Sequence, residues 1–226
     1  MNRLFYDEWK QKRLEKIISL FGRDWFAFKR VLELGACYGD IGFELMKLGA
    51  EVTFTEGRQK NIDTLQQRFK HYNIKPNVEL LDQNEHYTFD RTFDLTLHMG
   101  VLYHIENWQQ DLECALKTSD IVLLETVVNP KREDGAKLIP VVPDDEYEGM
   151  SNKCALLTQE TIEDYITYLG CKFIRLDTAD LNTSWSWLDT MRIRNVYDWK
   201  YRNASMYNNP ASNCQVHYRR MWLILT

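Results

Sequence analysis

The sequence has little of what staples or metallates a small domain. Its five cysteines, Cys37, Cys114, Cys154, Cys171 and Cys214, are odd in number, scattered, and never form a CxxC pair. That argues against a disulfide framework or a zinc site and for a reducing compartment. The five histidines, at 71, 86, 98, 104 and 217, do not form a ligand-spaced set with cysteines or acids, so no metal is expected. A positive excess is also missing. The net charge is −5, whereas nonspecific nucleic-acid binding needs a basic face to neutralise phosphates. No apolar run approaches the roughly 20 residues of a membrane span. The first residues, MNRLFYDEWKQKR, lack the apolar core of a secretory leader. Together these absences predict a cytoplasmic, soluble protein with no membrane partner. They carry no information on oligomeric state.

Over 226 residues, 44% are hydrophobic and 13% aromatic, enough to bury one substantial core. No internal repeat or low-complexity tract interrupts the chain. Residues 4–21 read as a helix, with Leu14, Ile17, Ile18 and Phe21 recurring at spacings of three and four. Strands follow at 31–34, 51–55, 78–81, 93–97 and 121–124. They alternate with helices at 40–48, 58–72 (Ile62, Leu65, Phe69 and Tyr72 on one face) and 108–117. This rhythm implies an α/β fold with a parallel sheet covered on both faces. The second half departs from it. Residues 129–153 hold three of the five prolines and many charges and read as an ordered insertion or lid loop. A helix at 160–169 and a strand at 171–176 come next. An aromatic-rich segment of weak periodicity, 182–214, precedes a long final strand at 216–225. All of this reads as a single domain spanning 1–226.

Chemistry concentrates at strand ends. In VLELGACYGDIG, residues 31–42, a strand runs into a glycine-bearing turn and then a helix start, whose free N–H groups suit a polar ligand. A dinucleotide turn would need G-x-G-x-x-G, and Cys37 and Asp40 stand at its third and sixth positions. Glu56 ends the second strand, 21 residues after Gly35, where a carboxylate can accept two hydrogen bonds from a ribose diol. Asp82, in LLDQN, either recognises a base or caps its own turn. In FDLTLHMGVLYHIENW, residues 93–108, a buried strand ends at Met99-Gly100 and an apolar turn carries Tyr103 and His104. An imidazole can take up a proton near neutrality, which makes His104 a candidate base; the alternative is a loop histidine satisfying a carbonyl. Glu125 sits where the fifth strand should end, at the edge where open α/β sheets bind ligands, as a base, a substrate ligand or a structural acid.

The stretch 31–42 resembles motif I of the Rossmann-like, class I S-adenosylmethionine (SAM)-dependent methyltransferases, E/D-x-G-x-G-x-G. Glu33, Gly35 and Gly39 match, and Cys37 replaces the middle glycine. The resemblance implies an α/β/α sandwich of seven strands, mostly parallel, the last antiparallel. It implies a SAM site over Glu33, Gly35, Ala36, Cys37 and Gly39, with Glu56 and Gly57 on the ribose, Asp82 and Gln83 near adenine, and Met99, Gly100 and Tyr103 along the cofactor's other side. His104, Glu125 and Tyr103 are then the catalytic candidates.

EWKQKR, MGVLYH, LLETVV, DDEYEGMSN and YRRMWLILT also resemble the methyltransferase domain of the tRNA wobble-uridine carboxymethyl transferases. In that group carboxy-SAM is the cofactor, and its extra carboxylate meets a tyrosine and an arginine, matched here by Tyr103 and Arg220. The plainer expectation for Arg219 and Arg220 is one solvent-facing and one salt-bridged strand residue. The segment LNTSWSWLDTMRIRNVYDWKYRN departs from that group. The expected function is therefore methyl transfer from SAM to a small-molecule or glycan acceptor. Alternatives are an RNA-modifying (carboxy)methyl transferase using SAM or carboxy-SAM, and a noncatalytic SAM-binding module. Trp185, Trp187, Tyr197, Trp199 and Tyr201 are expected to form an acceptor pocket or a satellite core.

Overall fold

The structure is a computed structural model and describes residues 3–130, 134–140, 150–184, 186–188, 191–197, 208–209 and 214–226. Helix α1 (Arg3–Phe21) leads into β1 (Arg30–Leu34), α2 (Asp40–Met46), β2 (Glu51–Glu56), α3 (Gln59–Lys70) and β3 (Asn77–Leu80). Then come β4 (Leu95–Met99), α4 (Trp108–Leu116), β5 (Ile121–Val127), β6 (Ala136–Pro140) and β7 (Lys153–Leu157). The chain continues through α5 (Gln159–Tyr168), β8 (Lys172–Arg175), β9 (Ser186–Leu188), β10 (Met191–Val196), β11 (Asn208–Asn209) and β12 (Cys214–Leu225). Among the described residues no helix is long and apolar enough to cross a membrane.

The strand order is β3-β2-β1-β4-β5-β12, with β8 on the far side of β12. β1 to β5 are parallel to their neighbours, while β12 runs antiparallel to both β5 and β8. These are the seven strands expected, in a mostly parallel α/β sheet with an antiparallel last strand. One face is packed by α1, α2 and α3 through Leu14, Ile17, Phe43, Leu65 and Phe69. The other is packed by α4 and α5 through Leu112, Leu116, Ile162 and Ile166 against Trp222 and Ile224. Tyr72 lies beyond the end of α3 and is 58% exposed, so it is not part of the buried helix face expected of it. β4 begins two residues later than expected and reaches Met99, while Phe93 makes only an isolated bridge to Ser119.

Three expectations need correction. Among the described residues the sheet has ten strands rather than seven, because β10 pairs parallel with the first half of β12, β9 extends β10, and β11 pairs with β12. The segment 182–214 is therefore partly strand; its alternation was obscured by polar and aromatic residues of similar size. The insertion 129–153 is not only loop, since β6 pairs antiparallel with β7, Ala136 opposite Leu157. β6 is exposed throughout while β7 turns Ala155 and Leu157 inward, and the prolines and charges around β6 made the stretch read as a loop.

The turn after β1 is held by Glu33. Its buried carboxylate accepts the Gly42 N–H at 2.8 Å, inside the first turn of α2, and so locks the strand to the helix. A Cβ on Gly42 would lie 2.4 Å from the Phe54 ring and 2.5 Å from the Glu33 carboxylate, so this close packing requires glycine. Burial pushes the Glu33 carboxyl up to about 7, only partly offset by the Gly42 N–H. The folded protein then keeps a proton that the unfolded chain releases, and stability falls as pH rises from about 4.5 to about 7. Glu33→Gln, which keeps an oxygen for Gly42, is expected to flatten that decline. Urea midpoints at about pH 5 and about pH 8 measure it; an unchanged pH slope in the variant would show that Glu33 does not carry the effect.

Candidate functional site

The carboxyl ends of β1, β2, β3 and β4 converge on the turn between β1 and α2. Gly35 (φ +61°) and Gly39 (φ +67°) both occupy the left-handed region. A Cβ on Gly35 would meet Val101 at 2.6 Å, and one on Gly39 would meet Leu65 at 3.0 Å and Phe54 at 3.1 Å. Cys37, where the resembled motif has glycine, keeps the glycine-like backbone at φ +51°. The turn geometry therefore survives the substitution, at a strain of about 1–2 kcal/mol. Burial, with the Glu56 carboxylate nearby, pushes the Cys37 thiol up to about 12, so it is not a nucleophile near neutrality. Ala36 is fixed by its N–H to the Thr55 carbonyl at 2.8 Å.

Glu56 closes this turn from β2. One oxygen accepts Cys37 N–H at 2.9 Å; the other accepts Arg58 N–H at 3.0 Å and the Asn61 amide at 3.3 Å. A carboxylate has about four acceptor positions, so about one remains for a ribose hydroxyl. Gly57 follows, and a Cβ there would run into Met150 Sδ, so the last part of the insertion lies directly over the end of β2. Asp82 caps its own turn, accepting Asn84 N–H at 2.9 Å and the Asn84 amide at 3.2 Å. Gln83 is buried and donates to Asp111 at 2.9 Å. Asp111 also accepts Tyr87 Oη at 2.9 Å and lies 2.6 Å from His98 Nε2. A fully buried polar cluster therefore sets the position of Gln83 beside Gly35. Met99 is buried at the tip of β4, and Gly100 (φ +77°) turns the chain outward, its N–H on the Glu125 carbonyl at 2.8 Å.

The second half of the site lies over β4, β5 and β12 and centres on Glu125, which is fully buried. One of its oxygens accepts Arg13 Nη2 at 2.7 Å. The other accepts Arg219 Nη1 at 3.1 Å and Tyr197 Oη at 3.2 Å. Burial pulls the carboxyl up, but the two guanidiniums reverse this and hold it below the usual carboxylate range. Glu125 is therefore a permanently ionised anchor, a poor fit to the base expected of it. Burial likewise opposes the charge on Arg219, and Glu125 more than restores it. Arg219 also donates to Asn195 Oδ1 at 3.0 Å and to Tyr103 Oη at 3.4 Å. Trp9 donates to Tyr197 Oη at 2.5 Å, and both guanidiniums stack on its ring, at 4.3 Å for Arg13 and 4.4 Å for Arg219.

His104 packs its ring on Tyr103 at 3.9 Å between centroids, on the turn that follows β4. His217 stands near it on β12, where burial, Arg219 and His104 together press its pKa down to about 3 and keep it neutral. Tyr103 and His104 are thus adjacent at the rim of the Arg219 cluster.

The pairing of Tyr103 with Arg220 is corrected. Neighbouring strand residues point to opposite faces, and Arg219 is the one that reaches Tyr103. Arg220 donates to the Arg219 carbonyl at 2.8 Å. Neither arginine is solvent-facing; both are at most 3% exposed. Trp9, Arg13, Asn195 and His217 were not singled out from the sequence. Arg13 lies four residues after Trp9 and four before Ile17, so an arginine on the buried helix stripe was the available signal. Of the expected aromatic group, Tyr197 is fully buried in this cluster; the Trp185, Trp187, Trp199 and Tyr201 side chains lie outside the described residues.

Substitutions at two positions test these local assignments. Glu125→Ala leaves two buried guanidiniums without their shared carboxylate and is expected to cost about 3–5 kcal/mol; a loss below about 1 kcal/mol in urea unfolding would mean the network is open to solvent. Cys37→Gly should be neutral or stabilising, while Cys37→Val should cost about 1–3 kcal/mol at this left-handed position. Equal midpoints for the two variants would refute the strain.

The sequence matches no protein-family model and no curated protein. Solved structures do match the fold. The N-terminal domain of EvdMO1 with S-adenosylhomocysteine (SAH) bound aligns with a TM-score of 0.66 at 16% identity, over 96% of this chain and 80% of that one. The same domain has been solved in the presence of SAH and D-fucose. An S-adenosylmethionine-dependent methyltransferase from Clostridium acetobutylicum gives 0.60 at 12% identity, over 97% and 91% of the two chains. Magnesium protoporphyrin IX methyltransferase (ChlM) from Synechocystis with bound SAM gives 0.55 at 12% identity, over 96% and 79%. By these alignments the chain has the Rossmann-like fold of the class I SAM-dependent methyltransferases.

Proposed function

We propose that the protein is an enzyme that transfers a methyl group from SAM to a small-molecule acceptor. The observation that carries this reading is the turn from Gly35 to Gly39, which Glu56 ties to the end of β2 at the carboxyl edge of a class I sheet. The residues there fit the cofactor. The left-handed glycines let a ligand approach the backbone, Glu56 retains an acceptor position for a ribose hydroxyl, and Asp82 and Gln83 stand just after β3 for the adenine. Met99 and Gly100 would meet the methionine portion. SAM brings an electrophilic methyl group whose bond to sulfur breaks with the electron pair leaving on a neutral thioether. The protein's part is to align the acceptor atom and exclude water.

His104 and Tyr103 sit where β4 ends, between the cofactor turn and the Arg219 cluster. If the acceptor is a hydroxyl or amine, His104 is the group we assign to take its proton, with Tyr103 orienting it. Glu125 is assigned an anchoring role, because two guanidiniums hold it ionised. A small acceptor is supported by the neighbouring EvdMO1 domain having been solved with SAH and D-fucose present. The RNA alternative draws no support from these neighbours, and the arginine its carboxy-SAM assignment relied on, Arg220, does not reach Tyr103.

Calorimetric titration with SAM, SAH, carboxy-SAM and NAD tests the reading. SAM and SAH are expected to bind and NAD not to. Gly39→Val and Glu56→Ala should each weaken SAH at least about tenfold, a loss of about 1.4 kcal/mol. Unchanged SAH binding in both variants would remove the site assignment, and a clear preference for carboxy-SAM would replace the methyl donor.

A further inference from the structure

Resting on the methyltransferase reading, we infer that the acceptor carries an anionic group, of the carboxylate class, received by Arg13 and Arg219 beside Tyr103. Two guanidiniums, 5% and 3% exposed, share one carboxylate, Glu125. Each takes one of its oxygens; Glu33, a second buried acid in electrostatic reach of Arg13, makes no ion pair with it and is pushed up to about 7 by burial, so among the described residues the two guanidiniums share a single ion-paired carboxylate. Tyr197 stays protonated because burial and Glu125 oppose its ionisation, and His217 stays neutral, so neither changes that balance. An unpaired buried charge is costly, and proteins retain one where something else completes it.

The donor geometry points the same way. Arg13 makes one hydrogen bond, through Nη2, and its buried Nε has no partner among the described residues. A guanidinium offers five N–H donors in a planar fork suited to a carboxylate. Arg13 Nη2 would lie 3.1 Å from a Cβ on Gly100, which places it at the tip of β4 where the acceptor must meet the methyl group. The Trp9 and Tyr103 rings, both within 5.3 Å of a guanidinium carbon, give the same place a flat apolar wall. Arg13 stands beside Gly100, where the cofactor's methionine portion is proposed to lie, so the assignment of the anion to the acceptor rests on the strand position of Arg219. Arg219 stands on β12, two strand spacings or about 10 Å beyond β4 and about 14 Å beyond β1.

The test uses the full chain saturated with SAH, so that the cofactor's own carboxylate is already placed. The matched probes are 4-hydroxybenzoate and 4-hydroxybenzamide, which share size and shape and differ in charge. Calorimetry is expected to show the acid binding at least about tenfold tighter than the amide. Arg13→Gln and Arg219→Gln should each abolish that preference while SAH affinity changes less than about twofold, and Arg219→Lys should retain part of it. Arg13→Gln leaves Glu125 paired with Arg219, so it reports even if Arg219→Gln does not fold. An equal response to acid and amide, including no response to either, overturns the inference while SAH binding leaves the methyltransferase reading intact. A loss of SAH affinity that matches the loss of acid preference would assign the anion to the cofactor and also overturn it. Failure of SAH to bind the unaltered chain would instead remove the methyltransferase reading beneath it.

Discussion

The structure depends on one buried carboxylate. Glu125 on β5 joins Arg13 of the first helix to Arg219 of the last strand, through two charge-assisted hydrogen bonds in a place closed to water. Neither arginine could stay buried there without it, and without Arg13 the middle of α1 would lose its ion pair with the sheet. Trp9 and Tyr197 complete the connection, one ring stacked on both cations and one hydroxyl shared with the acid. Chain ends more than two hundred residues apart are thus fastened at one point, beside the turn that is proposed to hold the cofactor.

The two halves of the site are built by different means. On the cofactor side the backbone does the shaping: left-handed turns at Gly35, Cys37 and Gly39, strand ends, and an acid that caps them. On the other side long side chains converge from α1, the turn after β4, β5, β10 and β12. A backbone-made site suits one constant ligand, while a side-chain-made site can be altered one residue at a time. That division accounts for a chain only 12–16% identical to its neighbours keeping their architecture.

It also accounts for what could be read from sequence. The strand–turn–helix around Gly35 is contiguous, and glycines that need positive φ are visible as letters, so β1 through β5 and their helices lay close to where periodicity placed them. The acid at Glu56 was legible through its spacing alone. The Glu125 cluster was not, because its members are drawn from residues 9, 13, 103, 195, 197 and 219, with no fixed spacing. Arg219 and Arg220 are a pair of identical letters, and only the register of β12 against β5, with Arg219 opposite Val127, decides which of them turns toward Tyr103. β10 escaped notice for a related reason: it pairs only with the front of β12, beyond the part that β5 covers, and half of its surface carries arginine and asparagine.

β12 is long enough to serve two partners in succession. Its last seven residues pair with β5 and its first five with β10. The overhang works as a cantilever fixed at its far end by the Rossmann sheet. The strands it carries, β9, β10 and β11, join the sheet without entering the β5 register that seats Arg219. A change in the length of those strands is thereby mechanically separated from the root of the beam.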